Sequence, residues 1–214
     1  MVQCATSLWS ADLSNLAADI RRVEPYSERF HLDVADGHYV PSLLFFPDLV
    51  KALRKHTALP FEVHLMVTDP LAWLQPFAEV GADSLLLQYD ALKDPAEAIR
   101  AIKSLGKRAG LAIRIEEPVD RLEPYWELLD TVVIIGTALG IKGASMDAGV
   151  PDKIRAAKTI IQQRGLSTEV EADGGIRRNT VPLMAAAGVD LIVPGSLMFG
   201  EDPKAMREWL ATLR

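Results

Sequence analysis

Residues 84–113 read SLLLQYDALKDPAEAIRAIKSLGKRAGLAI, and this stretch decides the fold class. Its two ends, Ser84–Gln88 and Arg108–Ile113, are short runs dominated by apolar residues, which is typical of strands buried on both faces. Between them, Pro95–Leu105 carries apolar residues at helical spacing, begins with Pro after an acidic residue and stops before a glycine. The stretch therefore predicts a strand, a helix and a second strand parallel to the first.

The same alternation covers the rest of the chain. The predicted strands are Cys4–Leu8, Phe30–Asp33, Phe61–Met66, Ser84–Gln88, Arg108–Ile113, Thr131–Ile135, Ser167–Glu171 and Leu191–Val193. The predicted helices are Leu13–Val23, Pro47–His56, Trp73–Val80, Pro95–Leu105, Val119–Leu128, Pro151–Gln163, Thr180–Ala187 and Pro203–Leu213. About eight such units, with no linker between them, predict an α/β fold in which residues 1–214 form a single (β/α)8 TIM barrel domain. A doubly wound sheet would show a GxGxxG turn after its first strand, where residues 7–12 read SLWSAD.

Composition excludes several other classes of protein. The 214 residues are 49% hydrophobic and 24% charged, which does not fit a disordered or collagen-like chain. A net charge of -6 provides no general attraction for nucleic acid or an anionic membrane, so we expect neither as a partner. The single cysteine, Cys4, cannot form an internal disulfide. Because the first residues lack a signal-peptide pattern and no apolar run approaches a membrane span, we expect a cytoplasmic location.

Polar side chains at the predicted strand ends suggest a metal site. His31 and Asp33 are two residues apart on one strand, so their side chains share a face. His64 follows on the neighbouring strand, and Asp173 comes at the end of the seventh. Two imidazoles and two carboxylates suit a divalent ion such as Zn²⁺, Mn²⁺ or Fe²⁺. By spacing alone the alternative stays open, because a strand histidine is often a core residue and a strand-end aspartate often caps a helix.

Glycine-rich turns follow the sixth, seventh and eighth predicted strands. They are Gly140–Gly143, Gly174-Gly175 and Gly195-Ser196, and their backbone N–H groups can form an anion-binding cradle. In barrels, a phosphate site after the last two strands is common. Lys142 can add a positive charge. The alternative is that these glycines only end strands and that Lys142 is solvated.

Five segments together resemble the ribulose-phosphate 3-epimerase family. They are residues 31–41 (HLDVADGHYVP), 63–66 (VHLM), 171–176 (EADGGI), 195–199 (GSLMF) and 7–13 (SLWSADL). They occur in the family's order and span almost the whole chain. The resemblance implies a (β/α)8 barrel of the ribulose-phosphate-binding type and a metal-dependent epimerase that acts on a ketose phosphate.

The resemblance also implies roles for individual residues. His31, Asp33, His64 and Asp173 match the family's metal ligands, with Zn, Mn, Fe or Co as the divalent ion. Asp33 and Asp173 match its two acid/base residues, which would convert D-ribulose 5-phosphate to D-xylulose 5-phosphate by two-base proton transfer through an enediolate. Members commonly associate, so we expect a homo-oligomer. The expected substrate contacts are Ser7, His64, Met66, Gly140, Lys142, Gly143, Gly174, Gly175, Gly195 and Ser196.

Departures from the family pattern concern the substrate. Ala35 and Ile135 stand where the family usually has Met, so that Met66 alone remains of three, and residues 137–144 (TALGIKGA) differ from the family's loop. Gln88 and its neighbours likewise replace a segment that contains a histidine. We expect the reaction type to be kept, while the substrate stays open, because Arg114 or Glu116 facing the pocket would select another ketose phosphate.

Three alternatives to a ribulose 5-phosphate epimerase stay open. The first is an epimerase of a hexulose or tetrulose phosphate. The second is a metal-independent decarboxylase or isomerase, which would need a lysine at a strand end, whereas Lys142 is in a loop. The third is a non-catalytic sugar-phosphate-binding barrel, which would have no need of paired bases.

Overall fold

A computed structural model describes residues 2–213 as a closed barrel. The strands are β1 (Gln3–Ser7), β2 (Arg29–Asp36), β3 (Leu43–Leu44), β4 (Phe61–Met66), β5 (Ser84–Gln88), β6 (Arg108–Ile113), β7 (Thr131–Ile135), β8 (Glu169–Asp173) and β9 (Leu191–Val193). All except β3 run parallel in the order β1-β9-β8-β7-β6-β5-β4-β2, and pairing of β1 with β2 closes the ring. The predicted (β/α)8 TIM barrel is therefore confirmed.

Helices connect most of the strands. They are α1 (Leu16–Val23), α2 (Pro47–Leu53), α3 (Leu74–Glu79), α4 (Pro95–Ser104), α5 (Val150–Arg164), α6 (Val181–Ala186), α7 (Ser196–Phe199) and α8 (Pro203–Ala211). The acidic residue before the first proline acts as a cap in two of them. Asp94 accepts a hydrogen bond from the Glu97 N–H at 3.0 Å at the start of α4, and Asp202 accepts one from the Lys204 N–H at 3.1 Å at the start of α8.

The predicted helix Val119–Leu128 is wrong. The structure has two short 3₁₀ turns there, Val119–Leu122 and Trp126–Leu128. Pro124 lies between them, and a proline inside a helix removes a backbone donor and clashes with the preceding turn. The chain instead makes bonds between residues three apart, such as Tyr125 N–H to the Leu122 carbonyl at 2.9 Å.

Several predicted boundaries also shift. Helix α1 begins at Leu16 rather than Leu13, because Asp12 accepts hydrogen bonds from the N–H and hydroxyl of Ser14 and holds a turn. Strand β2 continues to Asp36, and β8 is displaced by two residues so that it ends on Asp173. The short hairpin strand β3 and helix α7 were not predicted.

Alternation along each strand separates two environments. On β4, Phe61, Val63 and Leu65 belong to the apolar layer between the barrel and its helices. Glu62 and His64 alternate with them and are fully buried inside the barrel. Apolar residues fill other parts of the interior, so the buried charges are concentrated where β2, β4 and β8 approach one another. Among residues 2–213, no helix has the length and hydropathy needed to cross a membrane.

Candidate active site

The four predicted metal ligands lie together inside the barrel. His31 and Asp33 come from β2, His64 from β4 and Asp173 from the last position of β8. The strand register places Asp33 directly beside His64. One nitrogen or oxygen atom from each of the four side chains lies within 4.8 Å of the others.

The spacing of these atoms suits a divalent ion. His31 Nε2 lies 3.3 Å from His64 Nδ1 and 3.4 Å from Asp33 Oδ1, and His64 Nδ1 lies 3.6 Å from Asp173 Oδ2. Ligands bound at about 2.1 Å stand roughly 3.0–3.4 Å apart in octahedral or tetrahedral coordination. Two imidazoles and two carboxylates are also the donors that first-row divalent ions accept. The buried cluster is therefore consistent with a divalent metal ion.

A second layer of charged side chains orients His31. Its Nδ1 atom lies 3.0 Å from Glu62 Oε1, and Arg29 donates to the other oxygen of Glu62 at 2.9 Å. A carboxylate at Nδ1 favours a proton on that nitrogen and leaves the Nε2 lone pair facing the cluster. Glu171 lies below the same ring, with Oε1 3.4 Å from His31 Nδ1 and neither oxygen hydrogen-bonded among residues 2–213.

Sequence reasoning missed Arg29, Glu62 and Glu171. The signal was present, because Glu62 is two residues before His64 and Glu171 two before Asp173. The alternation that placed His31 and Asp33 on one face places these carboxylates on the same inner face. The same alternation could therefore have identified these carboxylates from the sequence.

The two aspartates have opposite electrostatic environments. Burial would raise the pKa of Asp33, but the charges and hydrogen bonds of His31 and His64 outweigh it and hold that pKa far below its usual range. Burial raises the pKa of Asp173 above its usual value, despite the opposing charge of His31. At neutral pH the first carboxyl is thus held ionised more firmly than the second.

The carboxylates of the lower layer differ in the same way. Burial opposes ionisation of Glu62, but contacts with His31 and the charge of Arg29 lower its pKa to about 2. Burial and the charge of Glu62 raise the pKa of Glu171 to about 8. For His31, burial is outweighed by Asp33 and the two glutamates, and its pKa lies well above the ordinary value.

A cavity of about 250 Å³ opens above the cluster, with Asp33 and Asp173 among its lining residues. It also brings together nine of the ten predicted substrate contacts: Ser7, Met66, Gly140, Lys142, Gly143, Gly174, Gly175, Gly195 and Ser196. The tenth, His64, is fully buried within the cluster. The cavity therefore joins the predicted phosphate region to the predicted metal region.

Two glycines of the cradle are required by packing. Gly174 has φ +94° and a Cβ there would lie 2.5 Å from Thr137 Oγ1. Gly175 has φ +70°, and a Cβ there would lie 2.6 Å from the Cβ of Met146. Only glycine suits such conformations and contacts. Packing therefore explains why both positions are glycine. Both residues also line the cavity, where their N–H groups can face a ligand.

Two basic side chains line the cavity near these turns. Lys142 Nζ donates to the Trp9 carbonyl at 2.9 Å, and Arg177 Nη1 donates to the Ile176 carbonyl at 3.0 Å. Within the part of the chain that the structure describes, neither forms an ion pair with a carboxylate. Sequence reasoning missed Arg177, because an arginine after a glycine turn looks like a solvated residue.

The expectation that Arg114 or Glu116 faces the pocket is wrong. Neither lines the cavity. Arg114 Nε lies 3.0 Å from Asp90 Oδ2, and its guanidinium stacks 4.9 Å from the ring centre of Tyr39. The acid partner and the aromatic face hold this arginine outside the cavity.

A larger cavity, of about 450 Å³, is lined mainly by apolar side chains. Among its described lining residues, Asp36 alone is titratable, and this carboxylate already accepts hydrogen bonds from the N–H groups of His38, Tyr39 and Thr68. The smaller cavity, by contrast, has the two carboxyls of Asp33 and Asp173 in its lining.

Comparison with known proteins shows the family. The model of the ribulose-phosphate 3 epimerase family matches residues 3–199. The chain belongs to this family. It is 34% identical over 206 residues to the ribulose-phosphate 3-epimerase of Bacillus subtilis, covering 95% of each chain. It is 36% identical over 196 residues to that of Treponema pallidum, covering 91% of this chain and 90% of the relative.

Solved structures show the same fold at lower sequence identity. A 3-keto-L-gulonate-6-phosphate decarboxylase from Vibrio cholerae aligns with a TM-score of 0.71 at 18% identity, covering 100% of this chain and 98% of the other. A mutant tryptophan synthase alpha-subunit from Pyrococcus furiosus aligns with a TM-score of 0.69 at 16% identity, covering 99% and 96%. These likenesses concern the barrel alone. Family membership confirms the predicted ribulose-phosphate 3-epimerase-like isomerase.

Proposed function

We propose that this member of the ribulose-phosphate 3 epimerase family converts D-ribulose 5-phosphate to D-xylulose 5-phosphate by metal-dependent, two-base proton transfer. One observation carries the proposal: Asp33 and Asp173 both line the same cavity, and both belong to the buried cluster that also has two imidazoles. The two carboxylates come from β2 and β8, so each approaches the cavity from its own strand. Inversion of a carbon next to a ketone needs two such groups, one to remove a proton and one to return it.

The opposite pKa shifts support this division of work. Asp33, held ionised by the histidines, has no proton of its own and is the carboxyl that can take one. Asp173, whose pKa is raised by burial, more readily carries one. Two carboxyls with diverging pKa values are the usual arrangement for an acid and a base that act together. In the reverse reaction the two residues exchange roles, because each has then taken up or lost one proton.

His31, Asp33, His64 and Asp173 would hold the metal ion, which we propose to be Zn²⁺, Mn²⁺, Fe²⁺ or Co²⁺. When bound, such an ion supplies positive charge where the ketone and hydroxyl oxygens of the substrate become negative. Ser7 donates a hydrogen bond to Asp33 Oδ2 at 2.8 Å, which keeps Oδ1 directed at the histidines.

The phosphate would lie at the other side of the cavity. Gly174, Gly175, Gly195 and Ser196 line it there, and Lys142 and Arg177 supply local positive charge. A chain with a net charge of -6 has no favourable overall field for a phosphorylated sugar. Neither basic side chain has a carboxylate partner within residues 2–213, which supports capture of the phosphate group at this place.

A second candidate is epimerisation of a hexulose or tetrulose phosphate. Ile135 and Leu139 line the cavity, and Ala35 packs with Met66 and Leu139 beside it. This apolar wall, which includes the loop of residues 137–144, is where the chain departs from the family pattern. Its shape would select chain length or configuration, while the acid/base pair stays the same.

We also propose that the whole chain acts as one barrel domain and associates with copies of itself in the cytoplasm. Exposed apolar side chains around the larger cavity support self-association: Leu43 is 80% exposed, Phe46 58% and Trp73 40%. Light scattering of the wild type and of Phe46→Glu tests this. We expect an oligomer that the substitution weakens, and a monomeric wild type would contradict it.

The substrate assignment is tested by assaying a panel of pentulose, hexulose and tetrulose phosphates with the protein loaded in turn with each ion. We expect the highest kcat/KM for D-ribulose 5-phosphate, with D-xylulose 5-phosphate as product. A higher value for a hexulose or tetrulose phosphate would favour the second candidate. Binding without conversion of any ketose phosphate would make the chain a non-catalytic binder and overturn the proposal.

A further inference from the structure

Gln88 is a buried polar residue in contact with the cluster. It ends β5 and is completely buried, and its side-chain amide lies against His64, with 2.6 Å between Nε2 of Gln88 and Nε2 of His64. The amide oxygen of Gln88 is also buried and has no hydrogen-bond partner among residues 2–213. Within the described part of the chain this buried amide has one hydrogen-bond contact, and that contact is made to a proposed metal ligand.

The direction of this contact decides which nitrogen of His64 carries the proton. If the amide N–H group donates, then His64 Nε2 accepts and the ring proton is on Nδ1. Nδ1 is the atom that faces the cluster, 3.3 Å from His31 Nε2 and 3.6 Å from Asp173 Oδ2. A protonated Nδ1 has no lone pair for an ion. Ligation by His64 therefore requires the proton on Nε2, with an acceptor opposite it.

Turning the Gln88 amide by half a turn supplies that acceptor. The oxygen and nitrogen of the amide then exchange places, and the oxygen faces the His64 Nε2–H. Because the oxygen has no hydrogen bond in its present position, the turn breaks none that it makes. The turn replaces the contact between the two Nε2 atoms with one between the amide oxygen and His64 Nε2.

We propose that Gln88 is a positioning residue, which accepts a hydrogen bond from His64 Nε2–H and so presents Nδ1 of His64 to the metal ion. This inference rests on the metal dependence of the proposed function. Glu62 does the same for His31 with the opposite nitrogen, since it faces His31 Nδ1 and leaves Nε2 for the ion. One histidine is thus oriented by a carboxylate and the other by a neutral amide.

The neutral amide has a consequence for the site. A carboxylate partner increases the electron-donating strength of an imidazole ligand more than an amide does. The cluster already includes Asp33 and Asp173, and Glu62 and Glu171 lie below it. An amide orients His64 without adding another negative charge to this group.

Metal titration of variants tests the proposal. Gln88→Met keeps the approximate size of the side chain but has no comparable acceptor, whereas Gln88→Glu keeps an acceptor at the same reach. Gln75→Met, at an exposed site on α3 where Gln75 bonds Glu79, is the matched control. Each protein is stripped with a chelator and titrated with Co²⁺ by calorimetry, and its unfolding temperature is measured without metal.

We expect Gln88→Met to lower Co²⁺ affinity by about ten- to a hundredfold, the usual effect of losing such a partner. Gln88→Glu should bind Co²⁺ at least as tightly as the wild type, and Gln75→Met should not differ from it. Equal affinity in Gln88→Met and the wild type would overturn the proposal. So would an equal loss in Gln88→Met and Gln88→Glu, because that would indicate a packing role.

A measurement on the wild-type protein keeps the test independent of these variants. Nitrogen chemical shifts of the His64 ring, recorded with Zn²⁺ bound, should show Nε2 protonated and Nδ1 bound to metal. The opposite assignment would overturn the role of Gln88. If His64→Ala binds Co²⁺ as tightly as the wild type, the proposed metal site itself is wrong, which separates that failure from the failure of Gln88.

Discussion

Ser7 donates a hydrogen bond of 2.8 Å to Asp33, and the register pairs Ser7 with His31 on the neighbouring strand. One carboxylate oxygen of Asp33 is thus occupied, and the other faces His31 Nε2 at 3.4 Å. The strand pairing of β1 and β2 therefore sets which oxygen of Asp33 is offered to the cluster. This hydrogen bond also stabilises the ionised form of a carboxyl that we expect to accept a proton.

Replacement of Ser7 tests this positioning. We expect Ser7→Ala to lower kcat by about tenfold and to weaken metal binding by a similar factor, because Asp33 loses the bond that orients it. Steady-state kinetics and calorimetric metal titration measure the two effects. Ser14→Ala, which removes an exposed hydroxyl that bonds Asp12, is the control and should behave like the wild type. If kcat and metal affinity are both unchanged in Ser7→Ala, Ser7 does not position Asp33.

The proton-transfer role of Asp173 predicts a larger effect. Asp173→Asn keeps the shape of the side chain but cannot exchange a proton at neutral pH, so we expect activity to fall by more than about a hundredfold. Asp152→Asn changes an exposed carboxylate of α5 and should leave activity unchanged. Assays are made at saturating metal, so that weaker binding of the ion is not mistaken for lost chemistry. Full activity in Asp173→Asn would refute its role.

The basic side chains beside the glycine turns predict a change in substrate affinity. Arg177→Gln and Lys142→Ala should each raise KM for the ketose phosphate by roughly tenfold, the scale of one charge-assisted hydrogen bond, with a smaller effect on kcat. Arg155→Gln is the control, since Arg155 is exposed on α5 and pairs with Asp152. An unchanged KM would mean that the basic side chain concerned is only solvated.

The raised pKa of Glu171 predicts that the stability of the metal-free protein depends on pH. Its pKa is raised to about 8 in the folded state, above the ordinary value of 4.5. Between these values the folded protein binds the proton and the unfolded chain does not, so this residue lowers stability as pH rises from about 4.5 to 8. Glu171→Gln should therefore gain stability over the wild type with rising pH, by about 1 kcal/mol or more at pH 8, which is about 3 °C.

Thermal unfolding at pH 5 and pH 8, with a chelator present, measures this difference. Taking the difference between the variant and the wild type removes the contributions of distant titratable groups, and it retains the effect that Glu171 exerts through Glu62 and His31. An advantage of Glu171→Gln that is the same at both pH values would contradict the raised pKa.

The sequence predicts the barrel well because its signal is local. Short apolar runs and helical spacing depend on neighbouring residues, and strands such as Phe61–Met66 and Ser84–Gln88 occur at the predicted bounds. The predicted helix at Val119–Leu128 failed where one residue, Pro124, opposes an otherwise helical pattern. The helical preference of the neighbouring residues does not compensate for the backbone N–H that the proline lacks.

The alternation of side chains along strands and the positions of the strand ends predicted part of the site. His31 and Asp33 share a face by spacing, and the predicted strand positions indicated His64 and Asp173 before the family motifs did. The direction of a side chain in a loop follows from long-range contacts, which the sequence does not show. Arg114 was placed wrongly because its contacts with Asp90 and Tyr39 hold it outside the cavity. The contact of Gln88 with the ring of His64 likewise joins two different strands, and no local pattern in the sequence shows it.

The central claim is that Asp33 and Asp173 move a proton at the carbon next to a ketone with the help of a divalent ion. Solvent deuterium incorporation into D-ribulose 5-phosphate, followed by NMR, tests it most directly in the chelator-stripped protein with and without added Mn²⁺ or Co²⁺. We predict deuterium at carbon 3 only when the ion is present, and no formation of D-xylulose 5-phosphate in Asp173→Asn. Equally fast exchange without the ion, or no exchange under any of these conditions, would contradict the claim.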